Sequence, residues 1–168
     1  MTRRTGLRLR MRAWLITAAV AAALGTVPEP ARAQNAFPVA IVVHPSVAVD
    51  DITFADLRRI FTAQQQFWRD NSRITLLVRA PIAKEREIVL ERIYGMSEDQ
   101  FRQFWIAKMF RADVASGPKI VYSSEMAREL VTAIPGAITF LPFDAVTRDV
   151  KVLRIDGKLP TDPGYPLR

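Results

Sequence analysis

The sequence predicts an α/β protein with a mainly parallel sheet of about five strands flanked by helices, and three observations carry that expectation. The first is the stretch Val131-Thr132-Ala133-Ile134-Pro135-Gly136-Ala137-Ile138-Thr139-Phe140-Leu141. A helical apolar pattern runs to Ile134, Pro135-Gly136 stops it, and Ala137 to Leu141 reads as a buried strand. The second is Val39-Ala40-Ile41-Val42-Val43, a continuous apolar run of the kind found where both faces of a strand are covered. The third is composition: 168 residues, 49% apolar, with eleven Pro and seven Gly, enough for one domain with a real core. No internal repeat is visible.

The first thirty-three residues read as a cleaved export signal. Arg3, Arg4, Arg8, Arg10 and Arg12 precede an uncharged, alanine-rich run from Ala13 to Leu24. Ala31-x-Ala33 then offers the small-x-small pattern of signal peptidase, so the mature chain is expected to begin at Gln34. The apolar run is shorter than the roughly 20 residues that a membrane-spanning helix needs. Thr2-Arg3-Arg4-Thr5-Gly6-Leu7-Arg8 also resembles a twin-arginine signal, and an ordinary Sec signal fits equally; both lead to the periplasm. The segment holds six of the 24 basic and one of the 17 acidic residues, which leaves 18 against 16, near +2, in the remainder. The overall charge of +7 therefore gives little support to nucleic-acid binding. With no cysteine, a disulfide framework, a thiolate metal site and a cysteine nucleophile are excluded.

After the first strand, His44-Pro45-Ser46 makes a turn. Thr53 is placed to cap a helix whose apolar face is Phe54, Leu57, Ile60 and Phe61. Gln64 to Ser72 reads as a polar loop pinned by Phe67 and Trp68, and Ile74 to Val78 as a second strand that ends at Arg79-Ala80-Pro81. From Ile82 to Tyr94 the period is helical, with Ile82, Ile88, Val89 and Ile93 inward and Glu85, Arg86, Glu87, Glu91 and Arg92 on a solvated face. Gly95 closes that helix. Ser97-x-x-Gln100 is a capping box for the next, with Phe101, Phe104, Trp105 and Met109 inward. Ile120-Val121-Tyr122 is a short strand, and Ser123-Ser124-Glu125 opens the helix that ends at Ile134. Phe143 to Val146 reads as one helical turn, and Val150 to Ile155 alternates like an edge strand. The order β-α-β-α-α-β-α-β-β divides the chain into a signal (1–33), one domain (34–155) and a loosely held C-terminal tail (156–168).

Three segments resemble the periplasmic phosphate-binding proteins of ABC transporters, of the type II periplasmic-binding-protein fold. They are Val42-Val43-His44-Pro45-Ser46 with Leu57-Arg58-Arg59-Ile60-Phe61-Thr62 and Trp68; Ile74 to Arg79; and Ile134-Pro135-Gly136-Ala137-Ile138-Thr139-Phe140. The resemblance implies a single lobe of that fold, because full-length members carry two lobes with the anion between them. It also implies that Arg79 is the ligand arginine. The family's Arg-x-Asp-x-Ser-Gly-Thr reads Arg79-Ala80-Pro81-Ile82-Ala83-Lys84-Glu85 here, so only the arginine carries over, and Glu85 is acidic where a donor would stand.

The candidate ligand residues are Arg79, His44, Ser46, Ser123 and Ser124. Arg79 ends a strand, and open α/β sheets bind ligands beyond their strand C-termini, where a guanidinium can clamp an oxyanion. It would equally serve as a surface arginine paired with a nearby glutamate. Ser123-Ser124 suits an anion at a strand-to-helix junction, or simply caps the helix. His44 also follows a strand and could share a cleft with Arg79, or act as a turn residue fixed by Pro45. One histidine makes neither a triad nor a metal site, and no Gly-rich phosphate loop, zinc motif or Gly-x-Ser-x-Gly elbow is present.

The expected function is that of an exported, non-enzymatic solute-binding-protein-like domain. It would bind a small oxyanion such as phosphate for an ABC-type system, with an inner-membrane transporter or other membrane protein as partner and no metal, cofactor or nucleic acid. The alternative is a ligand-free interaction module derived from that fold. A homodimer could rebuild a two-sided cleft.

Overall fold

The computed structural model describes residues 37–168. The expected export signal, 1–33, lies outside the described residues. β1 (Val39–Val43) is buried along its whole length, and its side chains divide between two cores. Val39, Ile41 and Val43 enter one, and Ala40 and Val42 the other, the period of two that a strand imposes.

A short β2 (Asp51–Ile52) leads into α1 (Phe54–Phe61), where the Thr53 hydroxyl accepts from the Asp56 N–H. β3 (Thr75–Arg79) follows. α2 (Lys84–Val89) continues as a π-helical turn, Leu90–Tyr94, and Gly95 stops it at φ 63°. α3 (Glu98–Phe110) starts on the Ser97–Gln100 capping box. β4 (Lys119–Val121), α4 (Ser124–Ala133) and β5 (Ala137–Pro142) come next. A 3-10 turn (Phe143–Ala145) precedes β6 (Lys151–Val152) and β7 (Arg154–Ile155).

The main sheet has five strands in the order β4-β3-β5-β1-β6. β3 is parallel to both β4 and β5, while β1 is antiparallel to β5 and β6, so β1 alone runs against the others. The expected mainly parallel α/β sheet is present. One core, with Leu57, Phe61, Val89, Ile93, Phe101 and Trp105 from α1 to α3, covers one face. The other, with Ala127 and Val131 of α4, covers the opposite face.

Four expectations are corrected in detail. The alternating run from Val150 to Ile155 is two short strands: β6 pairs with β1, and β7 pairs in parallel with β2 in a separate two-stranded sheet. Met109 is 42% exposed rather than inward, since the inner face of α3 is occupied by Phe101 and Trp105. On the helix expected from Ile82, Glu85 and Arg86 are buried rather than solvated, and Ile82 is 91% exposed rather than inward, because it precedes the helix, which begins at Lys84. Residues 156–168 are not loosely held. Leu167 is fully buried, its carbonyl accepts from the Val39 N–H at 3.0 Å, and the Tyr165 hydroxyl donates to the Val39 carbonyl at 3.0 Å.

Candidate functional site

Arg79 is the last residue of β3 and stands in register with Val121, the last residue of β4. The two strands are parallel, so both deliver their C-termini to one edge. The chain leaving β4 turns into α4 there, with Ser123 as its N-cap. Arg79, Ser123 and Ser124 therefore share an edge of the sheet.

His44 and Ser46 do not. The His44 N–H donates to the Ala137 carbonyl, and Ala137 stands in register with Thr75, the first residue of β3. Because β1 is antiparallel, its end lies near the start of β3, about 13 Å along the strand direction from Arg79 at ~3.3 Å per residue. The common cleft of His44 and Arg79 does not form. His44 Nδ1 lies 2.7 Å from Ser46 Oγ and accepts the Ser46 N–H at 3.0 Å, which closes a local turn.

At the Arg79 edge the charges are arranged from within the chain. Arg79 Nε donates to Glu85 Oε1 at 2.6 Å, with side-chain exposures of 8% and 6% for the two partners. Arg79 Nη1 makes a long bond to the Val121 carbonyl at 3.4 Å, an oxygen that also accepts the Ala80 N–H at 2.9 Å. Arg86 Nη1 donates to the Arg79 carbonyl at 2.5 Å. Its other nitrogens grip Glu98 with two bonds, at 2.9 and 2.7 Å, and its guanidinium sits 4.7 Å above the Phe101 ring. The Arg86 hydrogen bond holds the Glu98 carboxyl below its ordinary value. Ion pairs this deep survive because each charge is matched; removing one partner alone costs about 3–5 kcal/mol.

The helix start offers less than the sequence allowed. Ser123 Oγ accepts the Met126 N–H at 3.0 Å and is spent on capping. The Glu125 carboxyl is held below its ordinary value first by its own backbone N–H, then by Ser123, with the charge of Arg79 a smaller contribution. Glu125 itself pairs with Arg128 at 3.7 Å, so the acid that matches Arg79 is Glu85. Ile82, 91% exposed, and Tyr122, 72% exposed, flank the same edge.

The Glu85 and Arg86 pairings were within reach of the sequence. They precede Val89 and Leu90 by four residues, one turn back on the inward stripe. Their charge argued against burial, and the matching partners come from β3 and α3.

Within the segments that carry the family resemblance, Gly136 and Trp68 fasten the start of β3. Gly136 has φ +78°, and a Cβ there would lie 2.3 Å from the Arg73 carbonyl oxygen. Its carbonyl accepts the Trp68 indole N–H at 2.9 Å and the Thr75 N–H at 3.2 Å. Pro135-Gly136 and Trp68 together clasp the start of β3. A cleft of about 160 Å³ opens near this end, lined in part by Ile60, Gln65, Arg73, Leu76 and Trp105. Among the described residues no group of acids and histidine is placed to hold a metal. No described helix is long and apolar enough to cross a membrane.

No family model and no curated protein matches the chain. Solved structures do. An ABC-type phosphate transport receptor from Vibrio cholerae superposes with a TM-score of 0.61 at 23% identity, over 74% of this chain and 48% of that one. PstS from Borrelia burgdorferi gives 0.62 at 15%, over 77% and 53%. A phosphate-binding protein from Stenotrophomonas maltophilia gives 0.57 at 14%, over 74% and 40%. The class is therefore that of the substrate-binding-protein fold. Within that class the neighbours are phosphate-transport receptors, as the sequence resemblance implied, and the chain spans about half of their length.

Proposed function

We propose that this chain is an exported, non-enzymatic domain of the solute-binding-protein type that works in the periplasm by docking on a membrane-protein partner. Its ligand edge is filled from within. One observation carries the reading: the guanidinium of Arg79 is buried against the Glu85 carboxylate at 2.6 Å, so the cation that would attract a free anion is already neutralised. The exposed side chains of Ile82 and Tyr122 beside it supply apolar surface for a partner. Calorimetric titration of the mature chain with phosphate and with sulfate at millimolar concentration tests this. No saturable heat and no thermal shift are expected, and saturable binding would overturn it.

The second reading keeps a small oxyanion such as phosphate as the ligand, delivered to an ABC-type system. The shared edge of Arg79, Ser123 and Ser124 favours it, as do fold neighbours that are phosphate receptors. It requires that the incoming anion displace Glu85, and the same titration decides between the two. Export is checked by fractionation and N-terminal sequencing, with Gln34 expected first. A homodimer would appear in sedimentation as twice the chain mass.

A further inference from the structure

We infer that the cleft at the start of β3 and β4 is a binding site for a small organic carboxylate, an anion that carries an apolar body. The cleft lies at the end of the sheet away from Arg79, so nothing in it depends on what fills that edge. Its volume is about 160 Å³. A dry cavity of about 150 Å³ holds a benzene ring, so this cleft takes one ring or a short chain. Its walls are of two kinds. Ile60, Leu76, Trp105 and Val114 are apolar, and all four belong to the core that covers this face of the sheet or pack against it. Arg73 and Lys119 also line it, and both are exposed. No acidic residue lines it.

The two cations are unmatched. Among the described residues neither Arg73 nor Lys119 takes part in an ion pair. Asp113, which precedes the wall residue Val114, is already matched by Arg111 at 3.2 Å and Lys108 at 3.9 Å. The walls are also fastened from within the chain. Gln66 Nε2 donates to the Asp113 carbonyl at 3.2 Å, which ties the loop after α1 to the loop after α3. The Ile74 N–H donates to the Gln66 carbonyl at 2.9 Å, and Gln65 Nε2 to the Phe67 carbonyl at 3.1 Å. A cleft formed in advance spares a ligand the entropy of ordering it. Burial of an apolar body against Ile60 and Trp105 then supplies affinity, and the unmatched cations favour an anion over a neutral molecule of the same shape. Phosphate has no apolar body to bury and gains only the charge.

The experiment titrates the mature chain with benzoate, with benzyl alcohol as its neutral counterpart, and with phosphate, all at equal ionic strength. Calorimetry gives the affinities, and the N–H resonances of the chain give the place. Benzoate is expected to bind saturably and to shift the Trp105 indole and the Gln65 and Gln66 side-chain amides. Benzyl alcohol should bind about tenfold more weakly, and phosphate should leave these resonances where they are. Arg73→Gln/Lys119→Gln changes two exposed side chains and should weaken benzoate about tenfold. Ser116→Phe, in an exposed part of the wall, should remove the binding by filling the cleft. The site is overturned by the absence of saturable benzoate binding, by equal affinity for benzyl alcohol, or by shifts that map to the Arg79 edge. Benzoate affinity unchanged in either variant overturns it as well. Phosphate binding that depends on Arg79 would overturn the docking reading and leave this site standing.

Discussion

Gly136→Ala isolates the clasp on which the strand start depends. Two costs arise there. An L-residue at φ +78° pays about 1–2 kcal/mol for the left-handed backbone. The new methyl would also stand 2.3 Å from the Arg73 carbonyl oxygen, a backbone atom with no flexible tail to swing aside. Relief requires Arg73 or residue 136 to move by about an ångström, which strains the Trp68 indole bond and the Thr75 N–H bond to the 136 carbonyl, each worth about 1 kcal/mol. The sum is about 3–4 kcal/mol. Gly157 is an internal control: its φ is +76°, and a Cβ there meets nothing within 4 Å. Gly157→Ala should therefore show the backbone cost alone, about 1–2 kcal/mol. For a domain of this size, at about 4 °C per kcal/mol, melting temperatures should fall by about 12–16 °C for Gly136→Ala and by about 4–8 °C for Gly157→Ala. Calorimetry and urea midpoints measure both. Equal losses in the two variants would refute the steric part of the reasoning.

Other outcomes follow from the same contacts. Leu167→Ala empties a fully buried position and should cost about 2–5 kcal/mol by urea unfolding, whereas a loose tail would show no change. The Glu98 carboxyl, held below its ordinary value of 4.5 by Arg86, contributes stability that is complete above that pH and is lost as pH falls through the lower folded value. Glu98→Gln should flatten the decline of the urea midpoint below pH 4.5, and an unchanged decline would remove Glu98 as its source. Burial raises the Tyr94 and Tyr165 hydroxyls above their ordinary value of 10.0, so folding favours their protonated forms and stability falls as pH rises past that value. Phenolate absorbance should show these two of the three tyrosines ionising only as the chain unfolds.

The helices were legible because their signals are local. Thr53, Ser97 and Ser123 cap where their side chains lie three residues before a free N–H, and each was visible as a residue type at a spacing. β1 was legible as a strand, but not in its direction. A run buried on both faces is apolar whichever way its neighbours point, and the antiparallel pairing with β5 is set by a contact about a hundred residues away. That one unread direction carried the largest error, since it sends His44 and Ser46 to the end of the sheet away from Arg79. The tail was misjudged for a related reason: Gly and Pro mark turns, and turns do not reveal whether Tyr165 and Leu167 return to a core.

By itself, the sequence determined the order of the four helices and of β1, β3, β4 and β5, the α/β class and the absence of thiol chemistry, all consequences of side-chain type and short-range spacing. Only the tertiary structure decided what Arg79 faces. A guanidinium at a strand end is an anion site or a closed ion pair according to which carboxylate the fold brings within 3 Å, and here the fold brings Glu85 to 2.6 Å.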